Sequence, residues 1–317
     1  MRLLVTGGLG YLGGRLVEYL RQKPEFSLRL LVRQVPPSLA NWVQVMEVRL
    51  GDLTRPESLR GIGEGIDAVI HLAALNEVQC ERDPIAALRV NVEGTLHLLE
   101  ALGNSPRLLV FLSTFHVYGA NGHGVVTEQT PLAPIHPYAT THAMAELHVG
   151  MVARQRRQGA VILRLSNSVG APIRPGVDRW TLLVNDLCRQ AVEQRRLVLR
   201  SSGLQVRDFV PMADVVRVFD FLFQQDLADV RTYNLGNSTS VSVLEVAQKV
   251  REIYARLYGQ TLPIERPNPK PGETSRPLHF RCDPIRALGF TPHASLDDAI
   301  QETLQFCHRH FHPQSAG

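Results

Sequence analysis

A glycine-rich segment near the amino terminus limits the folds open to this chain. It follows the apolar run 2–6 and precedes a stretch of helical period, 12–21. In this context the first glycine permits a tight turn, the second lets the backbone approach a pyrophosphate, and the third allows close helix–strand packing. The segment therefore predicts a dinucleotide phosphate site at a helix N-terminus. Its candidate cofactor-binding residues are Gly7, Gly10, Tyr11, Leu12 and Gly13.

The rest of the first half alternates short apolar runs with segments of helical period, which is typical of βαβ units and a parallel sheet. The predicted strands are Arg2–Thr6, Ser27–Val32, Val43–Arg49, Ala68–Leu72, Leu108–Leu112 and Val161–Leu165. The predicted helices are Leu12–Arg21, Glu57–Gly61, Pro84–Leu102 and Tyr138–Gln155. We expect an α/β fold: a Rossmann-type doubly wound parallel sheet.

The pattern loosens after residue 165, where a proline-rich loop precedes a helix-like stretch, Thr181–Gln194. Two later runs, Val206–Val210 and Thr232–Leu235, are predicted to return to the sheet, and Val243–Tyr258 is predicted as a helix. We therefore expect a dinucleotide-binding domain over 1–165 with returns near 206–240. Residues 166–205 and 241–317 are expected to form a smaller, discontinuous substrate-binding lobe.

Composition excludes several classes of function. The net charge of +4 is small for 317 residues and the arginines are scattered, which argues against nucleic-acid binding. No apolar run reaches the length of about 18 residues that a membrane span needs. The glycine loop begins too early for a secretory signal, and the four cysteines are far apart, so we expect a cytoplasmic protein with reduced thiols. The segment 307–312 contains cysteine and histidines, but without a second ligand cluster we predict no metal site.

The choice of dinucleotide stays open. The second predicted strand ends at Arg33 instead of the acid that usually holds the adenosine ribose, and an arginine there can accept a 2′-phosphate or simply be exposed. NAD and NADP are both compatible with the sequence. Asp52, beside Leu53, can accept the adenine amino group or serve as a turn residue. The following Thr54 and Glu57 are predicted to form a capping box.

A candidate acid/base pair lies on the predicted helix 138–155. Tyr138 and His142 are four residues apart, a spacing that places both side chains on one helical face. Such a pair is most often packing. Here, however, Ser113 and Thr114 end a predicted strand, so their hydroxyls are expected at the same sheet edge as the glycine loop.

At this point the chain resembles the extended short-chain dehydrogenase/reductase family, in its nucleotide-sugar epimerase/dehydratase branch. The resemblance covers nearly the whole sequence, and the order and spacing of its motifs make it specific. The matching segments are 6–13, 51–53, 71–74, 91–95, 113–114 with 117–119, 138, 207–210 and 270–273.

The resemblance implies a role for individual residues. Thr114 would hold the reacting oxygen and Tyr138 would exchange its proton. Asn91 would support a site in which Leu72, Ala73, Ala74 and Ser113 join the cofactor-binding residues. Asn167 and Arg207 would hold the substrate diphosphate, although a turn residue and an ion pair with Asp208 are the structural alternatives. Glu273 would lie near the sugar of the nucleotide.

The sequence departs from the family at His142, where a lysine is expected. That lysine binds the nicotinamide ribose and lowers the pKa of the tyrosine; a unit charge about 5 Å away contributes roughly 3 kcal/mol at an effective dielectric of 20. A histidine can still donate to the ribose and, if protonated, restore the charge. The residue is therefore compatible with a working enzyme of altered pH profile, a slow enzyme, or a binding protein without turnover.

The residues after Thr114 bear on the reaction. Dehydratases of the family carry an acidic pair there, and this chain has Phe115 and His116, so we predict a nucleotide-sugar epimerase, acting at C4 through transient hydride transfer. The main alternative enzyme is an NADP-dependent nucleotide-sugar reductase or dehydrogenase. His116 is predicted to contact substrate, as an additional base or as a loop residue. The helices 84–102 and 138–155 resemble the family's dimer interface, so we expect a homodimer.

Overall fold

The computed structural model describes residues 1–312. The chain divides into two compact units: the first comprises 1–122, 128–165 and 218–234, and the second comprises 123–127, 166–217 and the chain from 235 onward. Each unit has its own apolar core. No helix among the described residues combines the length and the apolar character that crossing a bilayer requires.

The first unit is built on a seven-stranded sheet of Rossmann type. From one edge to the other the strands are Glu47–Leu50, Ser27–Val32, Arg2–Thr6, Ala68–His71, Leu108–Thr114, Gly159–Leu165 and Val230–Leu235. The first six pair in parallel. The strand order reverses beside Arg2–Thr6, whose Thr6 is paired with His71. Ligands of such sheets bind at the carboxyl ends of the strands at this reversal.

Helices flank this sheet and supply the other half of its core. They are Tyr11–Leu20, Ala40–Val43, Glu77–Arg82, Pro84–Ala87, Gly94–Leu102, Pro137–Arg156 and Met212–Phe223, the last spanning the division between the units. Between Pro84–Ala87 and Gly94–Leu102 the helix widens to a π-helix, Leu88–Glu93. On one face of the sheet, buried leucines, isoleucines and valines from strands and helices form a core cluster. The predicted doubly wound sheet is confirmed.

Local predictions around the third strand were partly wrong. The segment 43–46 ends a helical turn, so the strand begins only at Glu47. The turn after it is a short 3₁₀ helix, Pro56–Leu59, that begins after Arg55 without a side-chain cap. The predicted capping box is therefore wrong: the Thr54 amide and hydroxyl both donate to Asp52 Oδ1, at 2.9 and 2.8 Å. An aspartate two residues earlier competes successfully for the donors.

The second unit has a three-stranded sheet of Asn167–Val169, Val206–Pro211 and Ser240–Ser242. Two short strand pairs join Leu197–Val198 to Ile264–Glu265 and Gly124–Val126 to Leu278–Phe280. Its helices are Leu183–Glu193, Val243–Tyr258, Asp283–Ala287 and Leu296–Phe311. The expectation that 206–210 returns to the main sheet is wrong, because that strand pairs within the second unit. The other predicted return, Thr232–Leu235, does join the main sheet, as part of strand Val230–Leu235.

Candidate active site

The glycine loop has the geometry of a phosphate site. Gly7 has a φ of +71°, and a Cβ there would lie 2.8 Å from the main-chain nitrogen of Ala73. A Cβ on Gly13 would overlap the carbonyl oxygen of Gly7, so the helix can approach the strand only with glycine at this position. The helix begins at Tyr11 after Gly10, and no side chain caps it. Its first-turn amides therefore suit an anion, and the loop fits a dinucleotide pyrophosphate.

A chain of hydrogen bonds leads from this loop into the protein. The amide of Ala73 donates to Thr6 Oγ1 at 3.1 Å, and Thr6 Oγ1 lies 2.7 Å from His71 Nδ1. His71 Nε2 lies 3.0 Å from Thr95 Oγ1, which donates to the carbonyl of Asn91 at 2.6 Å. Since the carbonyl can only accept, the Thr95 proton points to it, so His71 donates from Nε2 and accepts at Nδ1.

His71 is accordingly a neutral imidazole. It is almost completely buried, and this burial lowers its pKa to about 3, with a smaller contribution from the neighbouring His142. Both ring nitrogens have partners in the neutral form. A proton on Nδ1 would displace the hydroxyl proton of Thr6. The sequence predicts cofactor contacts for Leu72, Ala73 and Ala74 but gives no role to His71. The hydroxyls that hold its ring, those of Thr6 and Thr95, are distant in sequence and leave no local signal.

Asn91 extends this series of hydrogen bonds towards helix Pro137–Arg156. Its Oδ1 accepts the amide of Leu75 at 2.7 Å, and its Nδ2 donates to Thr141 Oγ1 at 3.0 Å. Thr141 Oγ1 donates in turn to the carbonyl of Tyr138 at 3.0 Å. Asn91 lies in the π-helix, a widening that is frequent at functional sites. We refer to the complete series as the Thr6–Tyr138 path; its members are Thr6, His71, Thr95, Asn91, Thr141 and Tyr138.

Tyr138 and His142 occupy the first two turns of helix Pro137–Arg156. Their ring centroids are 4.2 Å apart, and His142 Nδ1 lies 2.9 Å from the carbonyl oxygen of Tyr138. Only a protonated Nδ1 can donate to a carbonyl, so the neutral His142 ring has its lone pair on Nε2. The ring also packs on Phe111 and is only 3% exposed. The two side chains lie on one helical face, as their four-residue spacing predicts.

The end of strand Leu108–Thr114 is held by a buried ion pair. Ser113 Oγ donates to Glu146 Oε1 at 2.5 Å, and Arg164 donates to both oxygens of Glu146 from Nε and Nη2. Arg164 also donates to the hydroxyl of Tyr118 at 3.1 Å. Glu146 lies two turns after Tyr138 on the same helix. Ser113, predicted to bind cofactor, thus uses its proton inside the protein.

Two histidines join the site next to Tyr138. His116 follows Thr114, whose Oγ1 accepts the His116 amide at 3.2 Å. The His116 ring centroid is 6.2 Å from that of Tyr138 and 5.1 Å from that of His136. His136 is the N-cap of the long helix and its ring stacks on Tyr138 at 6.1 Å. We did not predict His136 from the sequence, because its contact with His116 spans 20 residues.

The residues predicted at the adenosine end of the dinucleotide give weaker support to a cofactor site than the glycine loop does. Arg33 is exposed at its strand end, and its charge contributes to lowering the pKa of Asp52. The main cause of that lowering is the hydrogen bond from the Thr54 amide. Asp52 is thus used in its own turn, while Leu53 is buried in the core and its carbonyl bonds to His97.

In the second unit, Arg207 is solvent-accessible, and partial desolvation lowers the pKa of its guanidinium. No acidic partner is described for it in residues 1–312, and Asp208 is buried and bonded to the amide of Asn237. Asn167 Nδ2 donates to the carbonyl of Asp208 at 2.9 Å. Glu273 accepts from the Ser202 hydroxyl and from the Lys270 amide, which lowers its pKa. Arg207 is therefore the residue here most suited to an anion.

Comparison with known proteins identifies the family. Residues 3–236 match the model of the NAD dependent epimerase/dehydratase family. The chain belongs to this family. The dTDP-D-glucose 4,6-dehydratase of Homo sapiens is 26% identical over 330 residues, covering 98% of this chain and 91% of that protein. The UDP-glucose 4-epimerase of Mycoplasma genitalium is 27% identical over 279 residues, covering 80% of this chain and 81% of that protein.

The fold is shared with solved members of such enzymes. The UDP-glucose 4-epimerase of Thermus thermophilus, solved in complex with NAD, superposes with a TM-score of 0.79 at 24% identity. The match covers 97% of this chain and 99% of that structure. Sequence and structure thus agree on an extended short-chain dehydrogenase/reductase architecture.

Proposed function

We propose that this chain is an NAD(P)-dependent nucleotide-sugar epimerase that inverts C4, with Tyr138 as its acid and base. The observation that carries the proposal is the Thr6–Tyr138 path. It connects the loop that fits a pyrophosphate with the helix turn that bears the phenol, through groups that all donate in one direction. Hydride and proton transfer require the dinucleotide and the reacting hydroxyl to be held at a fixed distance from each other. The path would keep the distance between the loop and the helix turn rigid.

The residues present suit epimerisation. Bound NAD(P) would supply a reversible hydride acceptor at the sugar carbon. Tyr138 would remove the proton of the sugar hydroxyl and return it after the sugar has turned, while the Thr114 hydroxyl orients the same oxygen. This cycle moves no carbon-bound proton except as hydride, so it needs no acidic pair after Thr114. The Phe115–His116 dipeptide supports epimerisation over dehydration for that reason.

The substrate-binding lobe would contribute Arg207 as its main anion contact. A partly desolvated guanidinium that has no acidic partner in residues 1–312 is well suited to bind a diphosphate, to which it can donate two parallel hydrogen bonds. Asn167 would join through its side-chain oxygen, since its nitrogen is bonded to the main chain. The turn at Lys270–Glu273 favours a structural role for Glu273, so its contact with the nucleotide is the weaker part of the proposal.

One experiment tests both halves of the proposal. The purified protein is denatured and the released nucleotide is identified by mass; the native protein is then incubated with UDP-, GDP- and dTDP-sugars and the products are analysed for inversion at C4. We expect NAD or NADP in the first step and a C4 epimer, without net cofactor consumption, in the second. Tyr138→Phe should retain the dinucleotide and lose turnover. A protein that retains no pyridine nucleotide even at millimolar supply would refute the assignment.

The arrangement of His142 favours one alternative, a dinucleotide-binding protein with little turnover. In the neutral ring Nε2 accepts and cannot donate, so the charge and the donor of the usual lysine are both missing. Slow, substrate-dependent appearance of reduced cofactor would decide for the enzyme. Net reduction of a sugar with consumption of NADPH would instead indicate a reductase, which the exposed Arg33 supports.

We also propose that the chain forms a homodimer through helices 84–102 and 137–156. Large apolar side chains are exposed along them, and the most exposed are Leu147 at 69%, Ile85 at 58% and Met151 at 43%. Leu147 and Met151 are four residues apart and so lie on one helical face. Exposed apolar patches mark interfaces. Sedimentation equilibrium should give a dimer, and Leu147→Glu together with Met151→Glu should give a monomer; a monomeric wild-type protein at micromolar concentration would exclude the interface.

A further inference from the structure

We propose that a cavity at the amino-terminal edge of the main sheet binds a phosphate monoester of a hydroxyl-bearing molecule, such as a sugar phosphate. The cavity has a volume of about 270 Å³ and lies where strands Leu108–Thr114 and Gly159–Leu165 begin. The glycine loop follows the carboxyl end of its strand, so the two sites are at opposite edges of the sheet. We call this one the amino-edge cavity; its charged lining residues are Arg107, Arg156, Arg157 and Asp226.

The charges of the amino-edge cavity favour a dianion. It is lined by three arginines and one aspartate, and none of these four side chains forms an ion pair within residues 1–312. Two positive charges are therefore left uncompensated. A phosphate monoester carries nearly two negative charges at neutral pH, so it neutralises them.

Two of the arginines are held in place by main-chain carbonyls at the ends of helices. Arg156 Nη1 donates to the carbonyls of Leu99 and Gly103 at 2.6 and 2.8 Å, and Arg107 Nη2 donates to the carbonyl of Phe223 at 3.3 Å. These bonds use one terminal nitrogen of each guanidinium, and the other N–H groups have no partner within residues 1–312. Because both side chains are already anchored, binding a phosphoryl group would cost little further side-chain entropy.

The third arginine occupies a strained backbone position. Arg157 directly follows helix Pro137–Arg156 and has a φ of 53°, in the left-handed region where glycine is the usual residue after a helix. Its side chain has no hydrogen bond or ion pair within residues 1–312. Arg154 and Arg156 already place positive charge in the last helical turn. Strain of this kind is typical of functional sites, and a ligand in the cavity gives this guanidinium a partner.

Asp226 and the size of the cavity narrow the class of ligand. The carboxylate of Asp226 is exposed and has no partner within residues 1–312. It repels a phosphoryl group but can accept hydrogen bonds from hydroxyls. A molecule with a phosphate for the arginines and a hydroxyl for Asp226 therefore fits better than inorganic phosphate. The volume lies just below the range of about 300–1,000 Å³ usual for ligand pockets, which suits a single sugar phosphate.

Titration calorimetry of the purified protein with glucose 1-phosphate tests the site, with inorganic phosphate and glucose as further probes. We expect glucose 1-phosphate to bind more tightly than inorganic phosphate, and glucose to give no measurable binding. Arg157→Gln should weaken binding of glucose 1-phosphate at least about tenfold, the size of one hydrogen bond to a charged group. Arg154→Gln is the matched control, because Arg154 is exposed at the same helix end but does not line the cavity. Asp226→Asn should bind inorganic phosphate more tightly and lose most of the preference for the sugar phosphate.

Arg157→Gly separates ligand binding from a structural role. Glycine adopts the left-handed conformation without strain, so this variant should melt roughly 1–3 °C above the wild-type protein and still lose binding. A lower melting temperature would show that Arg157 serves the fold and would contradict the inference.

Three binding results would overturn the inference. The first is no binding by the wild-type protein at millimolar glucose 1-phosphate, and the second is an equal loss in Arg154→Gln and Arg157→Gln. The third is a loss in Arg207→Gln without one in Arg157→Gln, which would place the probe at the proposed diphosphate contact. None of these measurements requires turnover, so the result is independent of the proposed function.

Discussion

His142 donates from Nδ1 to the main-chain carbonyl of Tyr138, 2.9 Å away on the same helix. A neutral imidazole has one N–H donor, and this contact with the main chain uses it. Nε2 then accepts, and it becomes a donor only when the ring is protonated. The lysine usual at this position in the family donates at all physiological pH values. The histidine therefore makes both the donor and the positive charge near Tyr138 dependent on its own protonation.

The first prediction is that His142→Lys raises the rate near neutral pH. A permanent ammonium about 5 Å from the phenol lowers its pKa by up to about two units, equivalent to at most a hundredfold more tyrosinate. The ammonium keeps its charge throughout the neutral range. The measurement is kcat/KM from pH 5.5 to 9 for both proteins, with bound dinucleotide quantified. His142→Gln, neutral at every pH, is the control, and an unchanged or lower rate in His142→Lys would count against the electrostatic account.

The Tyr/His spacing itself was readable from the sequence, and so was the strand–glycine–helix start. Both are local: four residues define one helical face, and eight residues define the loop. The apolar runs also predicted six of the seven strands of the main sheet to within a few residues at each end. The exception is the third strand of the chain, which begins at Glu47 and not at Val43. Local pattern suffices where each residue's role is set by its neighbours in the chain.

Other parts of the site depend on contacts that no local pattern contains. Arg164 and Glu146 meet across 18 residues, and Thr95 meets His71 across 24. The strand at 206–211 has the apolar pattern of a sheet strand, yet the sequence gives no information on which sheet it joins. His136 precedes Pro137 in a segment that reads as a loop, although its ring caps the helix. These features are set by tertiary packing.

The second prediction concerns stability and His71. Its pKa is lowered from an unfolded value near 6.5 to about 3, so the folded protein excludes a proton that the unfolded chain binds. The stability linked to His71 is complete above pH 6.5 and is lost as pH falls from 6.5 towards 3, by about 1.4 kcal/mol per unit. Between pH 7.5 and 5.0 the wild-type protein should lose roughly 2 kcal/mol more than His71→Gln. Urea unfolding at both pH values measures this, and equal losses would refute it.

The third prediction concerns the ion pair of Arg164 and Glu146, whose side chains are 9% and 4% exposed. Removing one partner leaves an uncompensated buried charge, so Arg164→Met should lower the free energy of unfolding by about 3–5 kcal/mol. Arg164→Met combined with Glu146→Leu removes both charges and should cost less than Arg164→Met alone. Denaturant unfolding of the two single variants and the double variant measures the coupling. A double variant less stable than either single one would show that the charges are not coupled in this way.

The last prediction contrasts two glycines of the loop. A Cβ on Gly13 would overlap the Gly7 carbonyl oxygen, which is main chain and cannot move aside without displacing the loop, whereas a Cβ on Gly10 would meet only that oxygen at 3.2 Å. Gly13→Ala should therefore force helix and strand apart, lowering stability by about 1–3 kcal/mol and abolishing dinucleotide retention. Gly10→Ala should lower stability less than Gly13→Ala, because a contact of that length needs a shift of only a few tenths of an ångström. It should still weaken retention of the dinucleotide, since the new methyl group occupies the space in which a pyrophosphate would approach the backbone. Unfolding curves and the dinucleotide content of the purified variants test both, and a Gly10→Ala protein that is stable and fully loaded would show that the pyrophosphate lies elsewhere.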